Sequence, residues 1–264
     1  MTISSSARIS GNSVIEPGVI IGAGVCIGPF CVITAGVEIG DGSIIASHVS
    51  INGRTRIGSD NVIGQFSTIG EVNQDLKYAG EATEVIIGNR NRIGKNATIH
   101  RGTMQGSQRT AIGNDNLFMS NVHIGHDCVV GNGVTIGDNT GLAGHVELDD
   151  FVQIGFMCAI HQFCILGAHA QIADQSGVVQ DVPPFVCASG NHATAVGLNK
   201  LALLFNPVDI QQQQQIVQTL YNMLYHSTLA IDQVKQEAER LSMVYPQLLC
   251  FNAFFTRSVR GIIR

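Results

Sequence analysis

From Ile9 onward the same residue returns at every sixth position: Ile9, Ile15, Ile21, Ile27, Ile33, Ile39, Ile45, Ile51, Ile57, Ile63 and Ile69. Helix faces repeat near 3.6 residues and strand faces near 2, so a six-residue period held this long fits neither as the organising unit. It is the signature of a solenoid in which three short strands close one triangular coil and residue n lies beneath residue n+18. Burying one inward isoleucine is worth about 1.5–3 kcal/mol, while fixing each residue of the coil costs about 1–2 kcal/mol of backbone entropy. One coil therefore cannot stand alone, and only the stack folds. Glycine often follows the isoleucine (Gly22, Gly28, Gly40, Gly58, Gly64, Gly70), which predicts a corner needing permissive backbone.

The phase breaks twice. A polar excursion over residues 71–84, carrying Asp75, Lys77 and Gly80, ends where the pattern re-enters at Ile87. A second, over 101–110, precedes Ile112, which is 13 residues after Ile99 rather than 12, so one residue is extra. Long loops thrown out from an intact stack are where such folds place function. The period then holds through Phe118, Ile124, Val130, Ile136, Leu142, Leu148, Ile154, Ile160, Leu166, Ile172 and Val178, giving about ten coils over residues 3–186. Asp181-Val-Pro-Pro-Phe185 ends it, because consecutive prolines donate nothing to a ladder.

Helix formers follow. Pro207 opens a first helix with Ile210, Ile216, Val217, Leu220 and Leu224 on one side, and Gln211 to Gln215 form a solvated turn of it. Thr228 is placed to cap a second helix carrying Ile231, Val234, Ala238 and Leu241, and a third starts after Tyr245-Pro246. The reading is an all-β solenoid, a parallel β-helix over residues 1–189, followed by a small α-helical domain over 190–264.

Fifteen Lys and Arg against 20 Asp and Glu argue against nucleic acid as the main partner. Mean hydropathy is positive, +0.21, yet the apolar residues are spread in sixes and no run approaches the roughly 18 needed to span a bilayer, so no stable membrane insertion is expected. The first residues lack an apolar signal region, which predicts a cytoplasmic protein. Seven cysteines without a CxxC pair speak against a disulfide framework or zinc ribbon. Cys31, Cys128, Cys158 and Cys164 occupy the slot that Val25, Val37 and Val49 fill elsewhere and read as small core hydrophobes.

Reduced by multiples of 18, His126, His145 and His161 fall at phases 0, 1 and 17, one column on the outside of the prism, with His123 three places earlier. Coils about 4.8 Å apart put His126 and His161 roughly 10 Å from each other. Gly144 lies one coil from His126, so a backbone N–H sits beside an imidazole. An imidazole titrating near 6.5 can take a proton from a hydroxyl at neutral pH; Asp127 can orient it, and the glycine N–H can hold an oxyanion. That describes acyl transfer to an alcohol, and without a G-x-S-x-G elbow direct attack is simpler than an acyl-serine route. A zinc site is the competing reading, although a two-coil spread is awkward for nitrogens that must all lie about 2.1 Å from one ion. A non-catalytic scaffold is the third.

Several runs carry more information than the hexapeptides: Gly70-Glu-Val-Asn-Gln-Asp-Leu-Lys-Tyr-Ala-Gly-Glu81, Thr98-Ile-His-Arg-Gly-Thr103, His123-Ile-Gly-His-Asp-Cys128, Leu142-Ala-Gly-His145, His161-Gln-Phe-Cys164, Gln180-Asp-Val-Pro-Pro184, Gly190-Asn-His-Ala-Thr194 and Arg257-Ser-Val-Arg-Gly-Ile-Ile-Arg264. With them the chain closely resembles the acyl-carrier-protein-dependent UDP-N-acetylglucosamine O-acyltransferases that open lipid A biosynthesis. The resemblance implies a left-handed β-helix, a homotrimer with sites between subunits, and no metal, cofactor or covalent intermediate, the acyl carrier's phosphopantetheine thioester being a co-substrate. It implies His126 as general base on the sugar 3-hydroxyl and Gly144 as oxyanion donor. Asp75 and Lys77 would reach the substrate, and His123 and His145 would line sugar and thioester. His161, Gln162 and Asn199 would lie toward the nucleotide or pantetheine arm, with His192 a weaker carry-over. The sister N-acyltransferase normally has an extra N-terminal domain, whereas the repeats here begin by Ile9. Two departures stand out: Lys200-Leu-Ala-Leu-Leu-Phe-Asn206 replaces a glutamate and basic pair expected near the nucleotide, and Asp174 occupies the acyl-length position. The basic tail of Arg257, Arg260 and Arg264 is a candidate contact for the acidic carrier.

Overall fold

The structure, a computed structural model, describes residues 2–202 and 210–264, without the side chains of residues 210–213 and 247. Pro207 and residues 203–206 of the departing segment lie outside the described residues.

Each periodic isoleucine becomes the inward residue of a two-residue strand. In Val32–Ile33 the isoleucine is buried and the valine faces out, and Ile44–Ile45 repeats this. Strands pair in parallel register with the coil above, Val32 on Ser50 and His123 on Gly141, an interval of 18 in both cases. The result is three sheets of nine, eleven and nine strands. Nine full coils are followed by a hairpin, Val186–Gly190 with Ala193–Leu198, which extends one sheet by an antiparallel pair and straddles residues 189 and 190. Cys31, Cys128, Cys158 and Cys164 are buried in the core column, and burial pushes the Cys128 thiol up to about 12.

The glycines after the isoleucines have a different cause from the one expected. Of the six, only Gly70 has a left-handed backbone (φ 76°). A Cβ on Gly40 would lie 2.6 Å from the Gly58 carbonyl carbon, and one on Gly58 would lie 2.6 Å from the Gly88 oxygen. Glycine is required there because successive coils approach backbone to backbone. The left-handed residue sits elsewhere in each corner and is frequently not glycine: Asp127 (58°), His145 (62°) and Phe163 (64°) stack at one corner.

The six-fold count understates how many residues the excursions add to their coils. Ile57 pairs with Ile87 and Ile87 with Ile112, so these coils contain 30 and 25 residues, twelve and seven beyond the regular 18. A count modulo six sees a twelve-residue insertion as nothing and a seven-residue one as a single extra residue. The two loops brace each other. Arg101 N–H donates to the Glu71 carbonyl (3.1 Å), Asn73 Nδ2 donates to the Gly102 carbonyl (3.0 Å), and the Arg101 guanidinium lies 5.9 Å from the Tyr78 ring centroid.

Among the described residues three α-helices follow: α1 (Ile210–Tyr225), α2 (Ile231–Val244) and α3 (Leu249–Arg257), the last preceded by a 3-10 turn. Gln215 in α1 is exposed. Val217, Leu220, Val234, Ala238, Phe251 and Phe254 form the helical core and pack on Ile165 and Phe185 of the prism. Thr228 is not the cap of α2: Ala230 is, and the Gln233 side chain accepts its N–H at 2.9 Å. The basic tail is largely used within the chain. Arg257 pairs with Glu147 (2.6 Å) and Asp149 (2.7 Å), and Arg260 donates to the Val179 carbonyl (2.8 Å), while Arg264 is exposed. No helix among the described residues is long and apolar enough to cross a membrane.

Candidate active site

The corner that stacks Asp127, His145 and Phe163 brings five of the eleven sequence candidates together: His123, His126, Asp127, Gly144 and His145. His126 precedes the left-handed Asp127, and the tight turn lets adjacent side chains meet: Nδ1 of His126 lies 3.0 Å from Oδ2 of Asp127. A carboxylate only accepts, so Nδ1 carries the hydrogen and, in the neutral ring, Nε2 of His126 holds the lone pair. Asp127 is buried, and burial alone pushes its carboxyl up. The Thr103 hydroxyl (2.7 Å), His126 and the Thr103 N–H (3.0 Å) more than offset this, so the net shift is below the ordinary carboxylate value and Asp127 stays ionised. Ser107 Oγ adds a longer bond at 3.3 Å.

Gly144 lies one coil above His126. A Cβ there would come within 2.4 Å of the His126 ring, so only glycine lets the imidazole lie against this backbone. The Gly144 N–H makes no hydrogen bond to any described residue and is available to a ligand. His145, one place on, sets its ring edge-on to His126 with centroids 5.0 Å apart and stacks on Phe163 at 4.4 Å. Burial and the neighbouring His126 lower its pKa against the opposing pull of Asp127 and Asp75, which keeps it neutral at neutral pH. His123 binds the Thr98 hydroxyl through Nδ1 (2.8 Å), and burial, aided by His100 and His126, lowers its pKa as well.

His123, His126 and Gly144 line a groove of about 360 Å³ with Gln74, His100 and Ala143, a size suited to a small-molecule group. Sequence reasoning missed His100 and Thr103. His100 is buried, donates Nδ1–H to the Val72 carbonyl (2.8 Å) and faces His123 with ring centroids 5.1 Å apart. The arithmetic that found the other histidines needs 25 here in place of 18: His100 plus 25 gives the column of Gly125, Ala143 and His161.

The remaining candidates sit further out. Asp75 is half-buried in the first loop, its carboxylate accepting the Lys77 N–H (2.9 Å), and Lys77 is exposed. His161 and Gln162 are exposed one coil above Ala143 and Gly144, and His161 meets Arg260 in place of the other histidines. His192 is exposed in the hairpin turn, four strand steps along the sheet from His123, roughly 19 Å. Asn199 is buried at another corner, its amide occupied by the His169 carbonyl (2.9 Å) and the Ala202 N–H (3.2 Å). Asp174 is an exposed turn residue accepting the Phe156 N–H at 3.1 Å, so its charge is solvated.

His126, Asp127 and His145 offer ligand atoms within 4.8 Å of one another, close enough to be tested as a metal site. The donor set fits a proton better than an ion. Both Asp127 oxygens already accept from Thr103, and one also from His126, so a cation between the three must break the bond that orients the imidazole.

A family model described as "Udp N-acetylglucosamine O-acyltransferase; Domain 2" matches residues 181–263, and one for the bacterial transferase hexapeptide matches residues 1–35 and 109–144. Among solved structures the chain is similar to LpxA from Acinetobacter baumannii, at 38% identity with all of both chains covered and a TM-score of 0.88. It is similar to the UDP-N-acetylglucosamine O-acyltransferase of Moraxella catarrhalis at 38% identity, again covering all of both chains, with a TM-score of 0.87. For the UDP-N-acetylglucosamine acyltransferase of Francisella novicida the identity is 34%, over 100% of this chain and 94% of the other, with a TM-score of 0.87.

Proposed function

The chain belongs to the UDP-N-acetylglucosamine O-acyltransferase family, and from that premise we propose that it moves an (R)-3-hydroxyacyl chain from acyl carrier protein to the 3-hydroxyl of UDP-N-acetylglucosamine, the first step of lipid A biosynthesis. One observation carries the reading: His126 has one ring nitrogen on an ionised carboxylate and the other beside a backbone N–H that no described residue uses. His126 Nε2 takes the hydroxyl proton as the sugar oxygen attacks the thioester carbonyl. Gly144 N–H stabilises the oxyanion, and Asp127 balances the transient imidazolium. Collapse expels the pantetheine thiolate, which recovers the proton from His126. The chemistry needs neither a resident metal nor a covalent acyl-enzyme.

Asp75, Lys77, His123 and His145 surround the acceptor in this scheme, with His161, Gln162, His192 and Asn199 toward the donor arm or nucleotide. The groove is open on the outside of the prism, and outward-facing Val14, Ile20, Val32 and Ile44 are 40–57% exposed. These exposed apolar side chains are in keeping with a homotrimer whose subunits cover them and close one another's sites, and the proposed location is the cytoplasm.

The test is a product assay with UDP-N-acetylglucosamine and a panel of hydroxyacyl carriers, which reads acceptor and chain length together. His126→Ala is expected to lose about 10³-fold in turnover with its oligomeric state unchanged. Unchanged turnover would remove the base assignment. Acylation of an amino sugar alone would move the protein to the N-acyltransferase reading, and stoichiometric zinc in the purified protein would reinstate the metal one.

A further inference from the structure

The C-terminal tail returns to the β-prism beside His161. Buried Asp181 fixes its path: its carboxylate accepts the Ile165 N–H (2.8 Å), the Ser258 hydroxyl (2.7 Å) and the Arg260 N–H (3.3 Å). The Asp181 N–H donates to the Gly261 carbonyl and the Ile263 N–H to the Asp181 carbonyl, so the tail is pinned to the prism by a single parallel bridge. Held this way, the Arg260 guanidinium spends Nε on the Val179 carbonyl (2.8 Å) and points Nη2 at Nδ1 of His161, 3.0 Å away and 99 residues distant in sequence.

Two contacts compete for that ring nitrogen, since the Gln162 carbonyl also lies 3.2 Å from Nδ1. They demand opposite tautomers. A carbonyl needs Nδ1–H, whereas guanidinium has only donors and needs an Nδ1 lone pair. The charged donor is closer and makes the stronger bond, and an Nδ1–H facing an Arg N–H is repulsive. We infer that Arg260 is a positioning residue for His161, locking it as the Nε2–H tautomer so that it presents a hydrogen-bond donor, not a base, to an acceptor oxygen of the bound substrate. This assignment divides labour among the histidines. His126 offers a bare Nε2 because Asp127 holds its Nδ1–H, and His161 offers Nε2–H because a cation holds its bare Nδ1. The kinetic part rests on the proposed acyl transfer, but the tautomer does not.

Long-range ¹⁵N–¹H spectra of the intact, histidine-labelled protein, with His161 assigned from a His161→Gln spectrum, read the tautomer directly. A protonated Nε2 and bare Nδ1 are expected in the parent and in Arg260→Lys, and a mixed population in Arg260→Met. A parent already protonated at Nδ1 overturns the inference whether or not the protein turns over. In the product assay Arg260→Met should lose roughly tenfold in kcat/KM, the size of one hydrogen bond to a charged group, with Arg260→Lys keeping most of it. Placed in a His161→Ala background, Arg260→Met should cost nothing further. An equal loss there would mean that Arg260 acts through the tail and not through His161. Absence of turnover in the parent would sink the proposed function and leave the spectroscopic test standing.

Discussion

Asp127 is the residue on which the site's electrostatics converge. Its carboxylate is buried in a corner where Gly106 must lack a side chain, because a Cβ there would fall 2.4 Å from the carboxyl carbon. Burial alone would favour the neutral acid, which would take the partner from His126; the Thr103 hydroxyl and N–H and the His126 ring turn the balance the other way. Thr103→Val removes one of these donors and keeps the shape. The Asp127 carboxyl should then titrate higher, and the acid limb of the pH–rate profile should move to higher pH with roughly a tenfold loss of kcat/KM. Thr103→Ser restores the hydroxyl and should return both to near the parent values. If Thr103→Val changes rate without moving the acid limb, the threonine acts on loop shape and not on the carboxylate.

At the scale of the element, the corner columns carry a pH sensitivity of stability. His169 is clasped between Phe151 and Phe185, ring centroids 5.0 and 4.7 Å away, and burial lowers its pKa against a weaker opposing pull from Asp150. Its folded value lies below the unfolded value of about 6.5, so above that pH both states are neutral and it contributes no slope. Below it the unfolded chain binds the proton first, and stability falls as pH drops toward the folded value. His123 and His145 shift in the same direction. His169→Phe should keep the stack, since phenylalanine already occupies this left-handed slot at Phe151 and Phe163. Its melting temperature should therefore fall less than the parent's between pH 7 and 5.5; identical slopes would show that His169 does not contribute.

The same columns explain what could be read from sequence. The period of six is visible because every coil buries its isoleucine alike, and the 18-residue repeat is enough to place Gly144 over His126. His100 escaped because a 25-residue coil resets the phase, and Thr103 because a carboxylate's partners in a loop have no period at all. The α2 cap was misplaced because a glutamine reaching backward from inside the helix did what a threonine ahead of it was expected to do.

For the whole molecule, the question is how three helices are fastened to the prism. Apolar packing against Ile165 and Phe185 supplies much of the contact, but the oriented joint is Arg257, which leaves the end of α3 to meet Glu147 and Asp149 on the prism wall. Asp149 is mostly buried, and burial, with Glu147 and Asp150 nearby, keeps its carboxyl above the usual range despite the guanidinium. That carboxylate is thus already a cost at neutral pH, and Arg257 limits it. Because the pair retains some solvent, Arg257→Met should cost about 1–3 kcal/mol, less than a fully buried pair. The sign with pH follows. Without the cation the Asp149 pKa rises further, so the penalty is full at neutral pH and shrinks as acid protonates the group. The gap in melting temperature between parent and Arg257→Met should narrow from pH 7 to pH 5, and Asp149→Asn in the Arg257→Met background should narrow it at pH 7. The tail that carries Arg260 to His161 begins one residue beyond this joint. The same substitution should therefore broaden the His161 ¹⁵N signals even where the protein stays folded, and sharp, parent-like signals would show the tail to be held by Asp181 alone.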